Sequence, residues 1–139
     1  MLFRSKSYEE FVGNVRTHLK AFPSSSARQN LIDAVVQGAT QQGTFRPLID
    51  FLDATSDIQA MTYYRTVNVI GGVDSLRPEA LRLVDQGLKA TEDAARKPRD
   101  AGQSAWKEEQ RIARSLLLFV KGAIERIQLR NDEIGRAHV

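Results

Sequence analysis

Apolar residues recur at intervals of three and four along most of this chain. That spacing places them on one side of an α-helix, with polar residues on the other side. In the first segment, for example, a single stripe is formed by Tyr8, Phe11, Val12, Val15, Leu19 and Phe22. The pattern predicts six helices, over about residues 7–22, 27–41, 46–54, 57–70, 78–96 and 104 to beyond 129.

Residues that begin or end helices support these boundaries. Ser7 and Glu10 have the spacing of a capping box, in which two side chains satisfy the free amides of a first turn. Pro23 is expected to end the first helix, and Ser26 to cap the second. Gly43 follows the second helix, where glycine adopts the left-handed conformation that terminates many helices.

Residues 62–70 are the ambiguous part of the pattern. They are rich in β-branched and aromatic side chains, which favour strands. No second strand-like run occurs elsewhere in the chain, and an isolated strand has no partner for its hydrogen bonds. We therefore predict a helix here, with a strand as the alternative.

Helices of 10–25 residues joined by short links are typical of an all-α protein. The predicted fold is a compact antiparallel helical bundle of five to six helices. Its core is expected to contain the large residues of the helical stripes, with Trp106 packed against a neighbouring helix. The predicted core residues are Phe11, Val15, Leu19, Leu31, Val35, Leu48, Leu52, Leu81, Val84, Leu116, Phe119 and Val120.

The last helix is apolar on more than one side. One face is predicted to point inward and is formed by Ile112, Leu116, Phe119, Val120, Ala123 and Ile127. Leu117, Leu118 and Ile124 lie off that face, although a surface helix needs only one apolar stripe. These three residues are therefore the predicted contact surface for a protein partner or for self-association.

Both ends of the chain resemble translated sequencing adapters. Residues 2–5 and 134–139 can be back-translated into sequences that resemble the two ends of a short-read sequencing adapter. Non-native ends are removed before a fold is predicted. We expect residues 6–133 to form a single helical domain, as a fragment of a longer protein, and residues 1–5 and 134–139 to be adapter-derived.

The charge balance gives only weak support for nucleic-acid binding. The chain has 20 Lys+Arg against 17 Asp+Glu, a net charge of +3. Without Arg4 and Arg136, which lie in the suspected ends, the balance is 18 against 17, or +1. The compact basic cluster is Arg96, Lys97 and Arg99, which could meet an anion or an acidic partner, or could simply stabilise a helix C-terminus.

Residues suited to catalysis or metal binding are scarce. The chain has no cysteine, and His18 is the only histidine outside the suspected ends. Asp50, Asp53 and Asp57 are close in sequence, but Asp50 and Asp53 are expected on a solvated helix face and Asp57 in the first turn of a helix. No metal-loop or nucleotide-binding motif occurs. We predict no catalytic residues, no metal and no cofactor.

The apolar runs are short, the longest being residues 116–120, which is far below the roughly 20 residues of a membrane span. No secretory signal is visible at the N-terminus, so a cytoplasmic protein without a membrane segment is expected.

These observations favour a helical protein–protein interaction or scaffolding module without catalytic activity of its own. The alternative is an accessory helical domain of a larger enzyme whose active site lies elsewhere. A nucleic-acid-binding helical domain comes third.

Overall fold

A computed structural model describes residues 5–137 of the chain, with side chains over residues 7–136. This part contains six α-helices, two short 3-10 helices and no strand. The all-α class and the predicted helix number are confirmed. The helices are α1 (Ser5–Ala21), α2 (Arg28–Gln42), α3 (Arg46–Ala54), α4 (Ala60–Ile70), α5 (Arg77–Thr91) and α6 (Gln103–Ala137).

The main contacts between the helices divide the chain into two compact units. Helices α1, α2 and α3 contact one another in a first unit, residues 1–56, and α4, α5 and α6 do so in a second, residues 57–139. The single domain over residues 6–133 stays a prediction. The suspected N-terminal end falls almost wholly on residues 1–4, outside the described residues, as do 138 and 139; Ile134 and Arg136 are exposed residues of α6.

The first unit is held together by a tyrosine that lies fully inside it. Tyr8 of α1 is buried and its hydroxyl donates a hydrogen bond to the carbonyl oxygen of Val35, 2.6 Å away. The ring lies against Gly38 of α2, where a Cβ atom would come within 2.7 Å of it. Gly38 therefore allows α1 and α2 to approach closely. Around this contact pack Val12, Val15, Leu19, Ile32, Val35, Ala39, Leu48, Ile49, Phe51 and Leu52.

The predicted helix ends are right for α2 at its C-terminus but not at its N-terminus. Gly43 adopts φ 65°, and the amides of Gly43 and Thr44 donate to the carbonyl oxygens of Thr40 and Ala39. This is the glycine termination expected from sequence. Ser26 does not cap α2; instead the Ser25 hydroxyl accepts from the amide of Ala27, 3.2 Å away.

Ser7 is not an N-cap either. It is the third residue of α1, which begins at Ser5. Because α1 starts two residues earlier than predicted, Ser7 is not positioned to cap the free amide groups of its first turn.

Residues 62–70 form most of α4, so the helical alternative is confirmed. Five of these nine residues are buried in the second unit: Thr62, Tyr63, Thr66, Val67 and Ile70. The buried Thr66 hydroxyl donates to the carbonyl oxygen of Thr62, 3.0 Å away, so its polar group is satisfied inside the helix itself. Burial against α5 and α6 outweighs the weak intrinsic preference of these residues for strands.

Helices α4, α5 and α6 meet at Gly87. A Cβ atom added there would lie 2.9 Å from the Tyr63 Cβ of α4 and 2.9 Å from a methyl group of Leu117 of α6. The missing side chain therefore lets three helices come together at one point. Around it the buried side chains are Tyr63, Val67, Ile70, Ala80, Leu83, Val84, Ala90, Trp106, Ala113, Leu117, Val120 and Ile124.

Of the predicted inward face of α6, Val120 alone is buried among the residues with described side chains. The buried residues of α6 are Trp106, Gln110, Ala113, Leu117, Val120 and Ile124, which again repeat at three and four. Leu116 is only half-buried and Phe119 is 78% exposed, so their placement in the core was wrong. Phe11, Leu31 and Leu81 are half-buried, whereas the other predicted core residues are buried.

We expect the stability of the protein to depend on the ionisation of Tyr8 at high pH. Burial raises the pKa of Tyr8 to about 12, from a usual value near 10. The neutral phenol is present in both states below pH 10, so its contribution is intact there and is lost as pH rises from 10 to 12. Tyr8→Phe should cost about 1 kcal/mol at pH 7 through the lost hydrogen bond. The unfolding free energy of this variant should fall less steeply between pH 10 and 12 than that of the wild type. Denaturant titrations at several pH values measure it, and an equal fall with pH in both proteins would contradict the burial of Tyr8.

Gly87→Ala should destabilise the protein, since the new methyl group has no room between Tyr63 and Leu117. Overpacking of this kind costs about 1–3 kcal/mol. Gly122→Ala is the matched control, because Gly122 also lies in a helix but has open space where a Cβ would go. That variant should gain up to about 1 kcal/mol from the better helix propensity of alanine. Thermal unfolding of both variants measures these effects. A Gly87→Ala variant more stable than the wild type would refute the close approach of Tyr63 and Leu117 to Gly87.

Candidate protein-interaction surface

An apolar stripe on α6 faces solvent instead of the core. It consists of Ile112, Leu116, Phe119, Ala123 and Ile127, which we call the α6 stripe. Four of the five side chains are exposed and Leu116 is half-buried. At 3.6 residues per turn the α6 stripe lies about 100° around the helix from the buried face. Phe119, at 78% exposure, is the most exposed of the large apolar residues described.

Helix α6 is longer than the helices that cover it. It has 35 residues, against 15 in α5 and 11 in α4. Up to Arg136, Ile124 is the last residue of α6 that is buried, and every residue from Glu125 to Arg136 is exposed. At a rise of 1.5 Å per residue, the α6 stripe covers roughly 24 Å of helix surface. A contact area of this length is enough for another helix to lie against it.

The three residues predicted as an interface separate in the structure. Leu117 is fully buried and Ile124 is 2% exposed; both fill the core of the second unit and cannot contact a partner. Leu118 is 46% exposed but lies on the side of α6 away from the stripe. The interface interpretation therefore loses Leu117 and Ile124, because both lie on the face of α6 that packs into the second unit.

Charged residues are arranged differently on the two sides of α6. On the side away from the α6 stripe, Arg114 reaches Glu92 and Lys121 reaches Asp85, each at 3.6 Å. Beside the stripe lie Glu108 and Arg126, separated by about five whole helical turns. Glu108 forms an ion pair with Arg111, and the hydrogen bond from Arg111 lowers the pKa of Glu108. Glu108, within its ion pair with Arg111, and Arg126 thus lie at opposite ends of the same flank of the stripe.

The predicted basic cluster is divided by its contacts. Arg96 donates to Asp93 Oδ2 at 3.0 Å and to the carbonyl oxygen of Ile58 at 2.8 Å. Burial disfavours the charge of Arg96, but its interactions with Asp93 and Tyr63 together outweigh burial, and the pKa of Arg96 is raised. Lys97 donates to the carbonyl oxygen of Pro98, 3.2 Å away, and the Arg99 side chain is exposed. Arg96 therefore has a structural role, whereas an anion-binding role for Lys97 and Arg99 stays a prediction.

Gln59 completes the same network and was not singled out from the sequence. Its amide donates to the carbonyl oxygen of Arg96 and its amide oxygen accepts from Trp106 Nε1, 3.2 Å away. The residue thus joins the start of α4 to the 3-10 helix Ala94–Arg96 and to α6. No sequence signal marks it, because a lone glutamine before a helix is common and its partners are far along the chain. Trp106 packs against neighbouring elements as predicted.

Other residues considered for chemistry lie apart from one another. His18 is half-buried, with Nε2 3.3 Å from the Ser25 hydroxyl and its ring 5.2 Å from that of Phe22. Asp50, Asp53 and Asp57 are exposed. Within residues 5–137, no group of three or more His, Asp or Glu side chains is arranged to hold a metal ion.

The chain matches no protein-family model, no curated protein and no solved structure. Its function must therefore be inferred from its own geometry. Of the helices described, none has both the length and the apolar character that crossing a membrane requires.

Arg96→Gln should loosen the segment between α5 and α6. The change removes the bonds to Asp93 and Ile58, at a cost of about 1–3 kcal/mol for hydrogen bonds of a charged group. Amide hydrogen exchange should accelerate over residues 92–99. Arg99→Gln is the control, since that side chain is exposed, and should leave exchange unchanged. Similar exchange in both variants would show that Arg96 does not hold the segment.

Proposed function

We propose that this protein is a helical protein–protein interaction module in which the α6 stripe pairs with the same stripe of a second copy. The observation that carries the proposal is the row of exposed apolar residues centred on Phe119. Single exposed apolar residues are normal, but a contiguous row on one helix face is typical of a contact site. Leu118, off the stripe, takes no part.

An antiparallel arrangement matches the apolar positions of the α6 stripe. A two-fold axis makes each contact occur twice, with the roles of the two copies exchanged. With its centre between residues 117 and 118, Ile112 lies opposite Ala123 of the second copy and Leu116 lies opposite its Phe119. Ile112 thereby meets the smaller Ala123, and Phe119 meets the more flexible Leu116, which favours close packing at the centre of the stripe.

The charges beside the α6 stripe have almost the same centre. Glu108 and Arg126 lie on one flank, and their midpoint is residue 117. In the antiparallel pair that flank faces itself, so that Glu108 of each copy lies beside Arg126 of the other. A parallel pair would instead bring Glu108 beside Glu109 of the second copy, and like charges oppose that arrangement. Charge complementarity therefore supports a second copy, in antiparallel orientation, as the occupant.

Sedimentation equilibrium over a range of concentrations tests the pairing. The wild type should form a dimer, and Phe119→Glu should be monomeric because a charge would be placed in the apolar contact. Leu118→Glu is the matched control: it introduces the same charge one residue away, outside the stripe, and should dimerise like the wild type. A wild type that stays monomeric at about 1 mM, a concentration at which even weak complexes form, would overturn the proposal.

Charge reversal tests the orientation. Glu108→Arg or Arg126→Glu alone should weaken the dimer by about two- to fivefold, because exposed ion pairs contribute only up to about 1 kcal/mol. The double variant should restore wild-type affinity and its salt dependence. Additive weakening in the double variant would contradict the antiparallel pairing while leaving the Phe119 result as a separate test of the contact itself.

A further inference from the structure

The first unit contains a groove lined by positive charge. The second half of α1, the start of α2 and the end of α3 enclose a half-open cavity of about 590 Å³. Three cationic side chains line it: Arg16 and Lys20 from α1 and Arg28 from α2. Its lining contains no aspartate or glutamate. Cations in a concave site attract anions more strongly than the same charges on a flat surface, since the walls exclude water.

The three cationic side chains are not paired with carboxylates of the described residues. Within residues 5–137, none of Arg16, Lys20 and Arg28 forms an ion pair. Arg28 donates one hydrogen bond to the carbonyl oxygen of Ser56, which orients its guanidinium at the edge of the groove without neutralising it. An arginine held in this way can offer its remaining donors to an oxyanion, and two such donors match phosphate geometry.

Two threonine hydroxyls add a different kind of group to the same wall. Thr17 donates to the carbonyl oxygen of Gly13 at 3.0 Å, and Thr55 to that of Phe51 at 2.6 Å. Because each hydroxyl hydrogen is already used, both oxygens remain as acceptors. Acceptors suit the hydroxyl groups of a ligand and not its phosphate oxygens. The groove therefore presents donors for an anion and acceptors for alcohols.

We infer that the groove of the first unit binds a phosphorylated polyol, such as a sugar phosphate. The guanidinium groups of Arg16 and Arg28 and the Lys20 ammonium hold the phosphate, and Thr17 and Thr55 accept hydrogen bonds from the hydroxyl groups. The cavity volume lies within the roughly 300–1,000 Å³ of small-molecule sites and exceeds the needs of a phosphate ion alone. The site is separate from the α6 stripe, and its test does not depend on dimer formation.

Isothermal titration calorimetry with three probes tests the site: glycerol 3-phosphate, inorganic phosphate and glycerol. The full chain should bind glycerol 3-phosphate most tightly and phosphate more weakly, with no saturable binding of glycerol alone. Added salt should weaken the binding of both anions, because salt screens charge pairing in a half-open groove. If glycerol 3-phosphate binds no tighter than phosphate, the polyol part of the inference is wrong.

Substitutions of the cations locate the site. Arg16→Gln and Lys20→Gln should each weaken glycerol 3-phosphate binding about tenfold or more, the loss expected for one hydrogen bond between charged groups. Neither side chain forms a hydrogen bond in the described structure, so both variants should fold, whereas Arg28→Gln also loses its bond to Ser56. Lys107→Gln, an exposed change in α6, is the control. No saturable binding at about 10 mM ligand, or equal binding by the wild type and both variants, would overturn the site.

Discussion

The second unit depends on the absence of a side chain at Gly87. Tyr63 of α4 and Leu117 of α6 both approach the Gly87 backbone to a distance at which a Cβ atom would overlap them. Close packing of this kind cannot be shifted by one residue without creating a gap or a clash. The contact therefore sets the rotation of α6 about its own axis, with Leu117 inside. Every other residue of α6 takes its position, buried or exposed, from that rotation.

The exposure of the α6 stripe is a consequence of that choice. Helix α6 carries two apolar faces about 100° apart, and a small three-helix unit can cover only one of them. The inner face includes Ala113 and Gln110, and the small alanine lets α6 lie close to its neighbours. The outer face carries Phe119, whose ring is 78% exposed. Pairing with a second copy would bury the apolar α6 stripe, which the second unit leaves exposed to water.

The arginines of the chain have two different roles. Arg96 is joined to Asp93 and to the Ile58 carbonyl group, and with Gln59 it fixes the segment between α5 and α6. Arg16 and Arg28 line the groove of the first unit without a carboxylate among its residues. Paired arginines stabilise the fold locally, while those left without a counter-charge concentrate positive potential where a ligand can reach it. Arg96 belongs to a basic cluster that is continuous in the sequence. Arg16 and Arg28 are distant in the sequence and line the same groove only in the folded structure.

The sequence alone determined the fold class, the number of helices and most of their bounds, because three-four periodicity and helix-ending residues such as Gly43 are local signals. It also identified α4 as a helix, since no second strand was present to pair with it. Tertiary structure decided which face of α6 is buried. Two stripes of equal period look alike in sequence, and close contacts between helices, such as that of Leu117 with Gly87, separate them. The groove was likewise invisible, because Arg16 and Arg28 belong to different helices and no local pattern records how helices pack.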